Sequence, residues 1–402
     1  MFIIRNNSVK HLSDVSLRDL IQDFINQNDV PASSIAEEIK IHKDTFAKFL
    51  AGETDLKFMQ ALRIMKVLGL SIEEFISAYT KDFDNEEEST TSAKLDHIAY
   101  VTKNFDVPTL KKVGIIYPRA KMEDYAKCIC NFFGFKSIYE YDDASLLPTL
   151  FSKSKRKVME EKEAKMTAFW LKCAISSFNR IDNPNEFNPN LLTQLMKRSA
   201  EFTKDTRYGY YRFILVLYQI GVTVLTQQYT TGTKAYGGTL ILNDKPCIIV
   251  TDMGKQYHKL WISLMHELYH VIYDFEILKS MEYHFSTPEQ PDLLVNEEKA
   301  DQFALNILVH PEIQKNLGKI IEFPFKVKAL ANELGISEHI IYGVYLESLP
   351  NGNQKSIMFA KLNSHLISSD IATKNLLFDP MKRRSLVEAV EKMKERLTQK
   401  II

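Results

Sequence analysis

At 402 residues, with 45% hydrophobic and 11% aromatic side chains, the chain can bury two or three cores. Lys+Arg and Asp+Glu balance at 51 each, so no global charge advertises nucleic acid or an anionic membrane. Four scattered cysteines, Cys128, Cys130, Cys173 and Cys247, argue against a disulfide framework and read as reduced, buried side chains. The opening residues, MFIIRNNSVKHLSD, lack the apolar stretch of a signal peptide. The longest apolar run, 213–225, is interrupted by Gln219 and too short to span a bilayer. The expectation is a cytoplasmic protein with no membrane partner.

Ser16 opens a first helix, with Asp19 placed as its capping-box partner and Leu17, Leu20, Ile21, Phe24 and Ile25 as its stripe. Pro31 opens a second helix over 32–40, and a third over 43–50 stops at Ala51-Gly52. Two more follow at 56–68 and 71–79. The stretch 81–94, KDFDNEEESTTSAK, is acidic and poor in apolar residues, and reads as a solvated linker. Residues 95–220 are mainly helical, with amphipathic segments at 122–133, 157–176 and 191–202, followed by an apolar run at 210–220. Trp170 and the pair Phe132-Phe133 read as core, and no catalytic constellation appears in this connecting region. From Gly221 the pattern turns to strand at 221–226, 238–242 and 246–251, with Asn243-Asp244-Lys245 as a turn. Residues 229–236, with Gly232 and three threonines, form a flexible stretch that can border a cleft.

The run LWISLMHELYHVIYDF, 260–275, carries the chemistry. Trp261, Leu264, Met265, Leu268, Val271, Ile272 and Phe275 make a helical stripe, and His266, Glu267 and His270 lie off it. Residues four apart share a helix face, so His266 and His270 can hold one zinc ion, with Glu267 beside them to act on water. Such a pattern arises by chance in roughly a few per cent of chains this long, so a third ligand has to decide. Glu297 continues the stripe Ala300, Phe303, Ala304, Ile307 and Leu308 of the next helix back by one turn. A carboxylate there needs a cation or hydrogen bonds; read alone, it is a helix N-terminal acid facing the dipole. Asp301, one turn on, can accept the free ring N–H of a ligating histidine. His284 and His310 read as local hydrogen-bonding residues. A small sheet before the histidine helix offers an edge to which an extended peptide can add as a strand, or else an ordinary covered edge.

Beyond the motif, 276–295 reads as irregular, with Pro288 and Pro291. A helix over 327–334 stops at Gly335. In IIYGVYLE, 340–347, Tyr342 is either a core tyrosine or a hydrogen-bond donor to a reaction intermediate. The final helix, 381–402, has a narrow stripe of Leu386, Val390, Met393, Leu397 and Ile401. Docking on the protein and pairing in a homodimer both stay open.

HELYH followed by E-x-x-A-D-x-F-A, with the lead-in LWISLMHELYH and the trailing LNILVHP, resembles the ImmA/IrrE metallopeptidases, zincins often joined to an Xre-type helix-turn-helix. The resemblance runs over about 221–311. It implies one zinc per chain on His266, His270 and Glu297, with Glu267 as catalytic base. Tyr269 and Asp274 depart from the small residue and the further histidine common at those places. The five N-terminal helices resemble the Xre module, with Lys40 where that turn usually has glycine. This implies that the helix 43–50 enters the major groove of double-stranded DNA, with Lys43, Thr45 and Lys48 facing it. Residues 1–80 carry 9 Lys+Arg against 11 Asp+Glu, so the module itself is slightly acidic. The expected fold is α+β and mostly helical: a helix-turn-helix bundle (1–80), an acidic linker (81–94), a helical connecting region (95–220), a zincin-like metallopeptidase domain with a small sheet (221–349) and a C-terminal helical extension (350–402). The implied function is a zinc endopeptidase that cleaves a specific regulatory protein, such as a repressor or antitoxin, in transcriptional or stress control. Two alternatives stand beside it: a helix-turn-helix regulator or antitoxin-like protein with a non-catalytic metallopeptidase-like domain, and a zinc hydrolase of small amides.

Overall fold

The computed structural model describes residues 15–81, 86–142, 161–227, 237–280, 284–286, 296–374, 376 and 385–398. The chain forms two compact units, Met1–His97 and Ile98–Ile402. It is mostly helical with one small mixed sheet, an α+β chain, and among the described residues no helix is long and apolar enough to cross a membrane.

In the first unit, helices Leu17–Asn28, Ala32–Glu38, Lys43–Leu50, Phe58–Leu68 and Ile72–Lys81 follow one another over short turns. Ser16 caps the first: its hydroxyl accepts from the Asp19 N–H at 3.2 Å, and the Asp19 carboxylate accepts from the Ser16 N–H. Leu17, Ile21, Ile35, Phe46, Phe49 and Ile64 close the core. The turn between the second and third helices places Lys40 at φ 59°, the left-handed region that a side chain resists and glycine does not. Arg63 steadies that turn, donating to the Ile39 carbonyl at 2.9 Å. The acidic stretch read as a solvated linker is helical from Glu86, in a helix that continues to Asn104.

The second unit is built on a sheet of order β1-β3-β2-β4, from β1 (Thr223–Gln227), β2 (Gly237–Leu242), β3 (Lys245–Thr251) and β4 (His284–Ser286). β1 and β3 are parallel; β2 is antiparallel to β3 on one edge and to β4 on the other. Asn243 and Asp244 both take positive φ, 52° and 61°, the two-residue hairpin geometry that matches strand twist. The segment expected to be irregular after the histidine motif instead holds a short helix, Phe275–Ser280, and the strand β4. Residues 281–283 and 287–295 lie outside the described residues, as does the stretch 229–236 read as bordering a cleft.

The histidine helix, Tyr257–Tyr273, packs on β2 and β3 and against the glutamate helix, Glu297–Leu308. Trp261, Leu264, Met265 and Leu268 are fully buried, with Trp261 meeting the Tyr210 and Phe213 rings at 5.4 and 5.5 Å. Helix Glu338–Ser348 crosses it closely at Gly343, where a Cβ would meet the His258 Cβ at 2.2 Å. One continuous core runs from Val101 to Leu397, so the helices of 98–220 and the C-terminal helix belong to the same body as the sheet. That last helix, Leu386–Leu397, docks on Glu161–Ile181 and Tyr125–Phe133, and Leu386, Val390, Met393 and Leu397 are buried there. The stripe that left pairing with a second copy open is covered by the chain itself; Ile401 lies outside the described residues. Tyr342 is a core tyrosine, buried and stacked on His365 at 4.6 Å.

Candidate metal centre

The histidine helix buries its apolar stripe in the core, which turns His266 and His270 together toward the start of the glutamate helix. Their Nε2 atoms are 3.2 Å apart. Glu297, the first residue of its helix, brings Oε2 to 3.2 Å from His266 Nε2 and Oε1 to 3.5 Å from His270 Nε2. Asn296 caps that helix through its side chain, which accepts from the Lys299 N–H at 2.8 Å and so fixes where Glu297 emerges. Glu298 is turned to solvent.

These three donors fit a zinc ion. Ligands about 2.0–2.1 Å from a tetrahedral centre stand roughly 3.3–3.4 Å from one another; the two Nε2 atoms are 3.2 Å apart, and each has a different Glu297 oxygen nearby, Oε2 at 3.2 Å from His266 and Oε1 at 3.5 Å from His270. Among the described residues this is the one such grouping of histidine, cysteine and acidic side chains. Cys128, Cys130, Cys173 and Cys247 are free thiols outside it.

Each imidazole is also held from behind. His266 Nδ1 lies 2.8 Å from Asp301 Oδ1, and His270 Nδ1 lies 2.8 Å from Asp274 Oδ2. A carboxylate on Nδ1 fixes the tautomer that presents the Nε2 lone pair to a metal. The two supports differ: the Asp274 side chain is 12% exposed and that of Asp301 73% exposed, so water competes mainly for the second. Burial opposes a proton on His266, but Asp301, Glu297 and nearby Glu267 outweigh it and push its pKa up to about 10. A field that holds a proton so firmly also attracts a divalent cation, which takes the proton's place on binding.

Glu267 points to the other flank, against β2. The Thr239 hydroxyl donates to its Oε2 at 2.7 Å, and a Cβ at Gly237 would stand 2.6 Å from its Oε1. A side chain at Gly237 would therefore press on this carboxylate and require it to shift. Tyr269 fills the gap beside the motif, its ring 5.5 Å from Phe303 on the facing helix and 4.7 Å from Tyr273.

The geometry thus gathers His266, His270, Glu297, Glu267 and Asp301 in one place. It adds three residues that the sequence reading did not assign: Asp274, Thr239 and Gly237. Asp274 carried a signal, since it stands four residues after His270 on the same face. Thr239 and Gly237 reach Glu267 only through the packing of helix on sheet, which no local pattern encodes. His310 caps the helix Pro311–Leu317, its Nδ1 accepting from the Glu312 N–H at 3.3 Å. The His284 side chain is outside the described residues. Lys43, Thr45 and Lys48 belong to the first unit, where all three are exposed on the third helix, with Asp44 among them.

Comparison of the chain with protein-family models, with curated proteins and with solved structures finds no match.

Proposed function

We propose that the second unit is a zinc-dependent peptide hydrolase. The observation that carries this reading is the convergence of His266, His270 and Glu297 next to a buried glutamate, Glu267. His266, His270 and Glu297 would hold the metal, with Asp301 and Asp274 behind the two imidazoles. When bound, zinc would supply a Lewis acid for a carbonyl and for the attacking water. Glu267 takes the proton of the attacking water and delivers it to the leaving amine. Thr239 keeps one oxygen of that carboxylate in position, and Gly237 leaves space for it.

The substrate in this reading is a specific regulatory protein, a repressor or antitoxin, by analogy with the family that the motif resembles. The first unit supplies DNA recognition, with Lys43, Thr45 and Lys48 on the exposed face of its third helix. The test is cleavage of an unstructured protein such as casein by the zinc-loaded chain and by Glu267→Gln. The variant should keep its zinc and lose cleavage by about two to four orders of magnitude. An active, zinc-loaded Glu267→Gln would reject the mechanism. Hydrolysis of small amides without protein cleavage would move the assignment to that substrate class.

A further inference from the structure

After the glutamate helix and the helix Pro311–Leu317, the chain makes a turn at 322–326 into the helix Pro324–Leu334. Ile321 and Val327 on either side of that turn are 1% and 0% exposed, while all five residues between them face solvent. Two are aromatic: Phe323 is 46% and Phe325 69% exposed. The turn is held in place by its own backbone. The Phe323 N–H donates to the Ile320 carbonyl at 2.8 Å, and the Phe323 carbonyl accepts from the Lys326 N–H at 2.9 Å. A single apolar side chain in water needs no explanation, but two rings 6.3 Å apart on one fixed turn make an adjoining pair.

Lys326 lies over both rings. Its ammonium is 4.5 Å from the Phe323 centroid and 5.9 Å from that of Phe325, so the ring faces hold the charge in one place. Among the described residues no carboxylate pairs with it. The one acid of the turn, Glu322, is already matched by Lys361 at 2.6 Å. Lys328 is exposed two residues further on, and Lys319 bonds the neutral Asn316 at 2.8 Å. Lys319, Lys326 and Lys328 thus leave the surroundings of the two rings positive.

We propose that this turn docks an acidic, extended segment of a partner protein, in which a carboxylate stands beside an aromatic or large aliphatic side chain. The carboxylate meets Lys326, and the apolar side chain lies against Phe325, the more exposed ring. Complementary charge brings the segment in, and burial of the ring supplies most of the affinity. The turn and the ammonium are already ordered, so little conformational freedom is lost on their side. Two other anionic partners match the surface less well. A base of single-stranded nucleic acid stacks on an open ring face, and Lys326 covers that of Phe323. A lipid surface would be gripped by two rings alone, and a small apolar anchor gives only marginal, reversible attachment. The docking site involves no metal and stands apart from the peptidase reading.

Fluorescence anisotropy with the full chain tests it, using a labelled peptide in which aspartates alternate with phenylalanines. Saturable binding is expected, weakening as salt is raised. The peptide with asparagine for aspartate, and the one with alanine for phenylalanine, should each bind more weakly. Phe325→Ala should lose about tenfold in affinity and Lys326→Gln a few-fold. Lys326→Arg keeps both the charge and the ring contact and should bind at least as tightly as wild type. Both side chains are exposed, so these variants should unfold at the wild-type temperature. No binding of the acidic aromatic peptide to wild type would overturn the proposal, as would equal binding by Phe325→Ala or equal binding of the asparagine peptide. Tighter binding to phosphatidylserine vesicles or to oligothymidylate than to the peptide would also overturn it, and would make the partner a lipid surface or a nucleic acid.

Discussion

The histidine helix carries a buried histidine near each end, and the two ends solve the same electrostatic problem differently. At its first turn His258 is 1% exposed, with Nε2 3.8 Å from Glu347 Oε1. The Glu347 carboxylate is held by Lys355 at 2.7 Å and faces Lys259 at 3.8 Å. Burial alone would raise the Glu347 pKa, but His258, Lys355 and Lys259 pull it down to about 2. Burial lowers the His258 pKa, against the pull of Glu347. The chain's own lysines supply the cation there. Two turns on, the imidazoles of His266 and His270 turn their Nε2 atoms toward each other and toward Glu297, with carboxylates behind both rings. That contrast separates a structural ionic tie from a cluster whose side chains could hold a metal ion. Both contain buried histidine and acid, but only the second points several lone pairs at one spot.

Changes at the two ends should therefore break different things. Glu297→Ala removes one of the three proposed ligands, and zinc affinity should fall by well over the roughly 10- to 100-fold typical of a supporting residue. Competition with a fluorescent chelator measures it; unchanged affinity would remove Glu297 from the site. Asp274→Asn keeps the shape but weakens the hold on His270, and a loss of roughly 10- to 100-fold is expected. Asp301→Asn should cost less, because its carboxylate is mostly in water. Equal losses in the two would contradict this ranking.

At the other end, Glu347→Gln should leave zinc binding intact and lower stability at neutral pH by roughly 1–3 kcal/mol, read by urea unfolding. The sign with pH follows from the depressed pKa. Glu347 stabilises the fold at pH above its ordinary value of 4.5, and the contribution disappears as the pH falls toward about 2. Wild type and variant should therefore converge in acid. A stability gap that stays constant from pH 7 down to 2 would show that the carboxylate's charge is not what ties the helices there.

Much of this arrangement was legible in the sequence because it is periodic. The i, i+4 spacing of His266 and His270, the stripe leading back to Glu297 and the turn residues Asn243-Asp244 each report on one element at a time. The same holds for the five N-terminal helices, whose starts and stops follow Ser16, Pro31 and Gly52. What stayed hidden was contact between elements. The hydroxyl of Thr239 and the missing side chain of Gly237 acquire meaning only once β2 lies against Glu267. β4 is three residues long, too short for alternation to register. The helix beginning at Glu86 is polar almost throughout its first half, so composition pointed to a linker while its backbone is helical. Asp274 stood four residues after His270 and departed from the resembling family at that place; its bond to His270 gives it a purpose of its own.

The two ends of the histidine helix are thus proposed to differ in kind, one an ionic tie and the other a metal site. Zinc per chain, measured by elemental mass spectrometry after dialysis against chelator-free buffer, tests it directly on wild type, His270→Ala and Glu347→Gln. Near one zinc in wild type and in Glu347→Gln, with little in His270→Ala, is the expected result. Folded protein that takes up no zinc in any of the three, or equal zinc in wild type and His270→Ala, would contradict it.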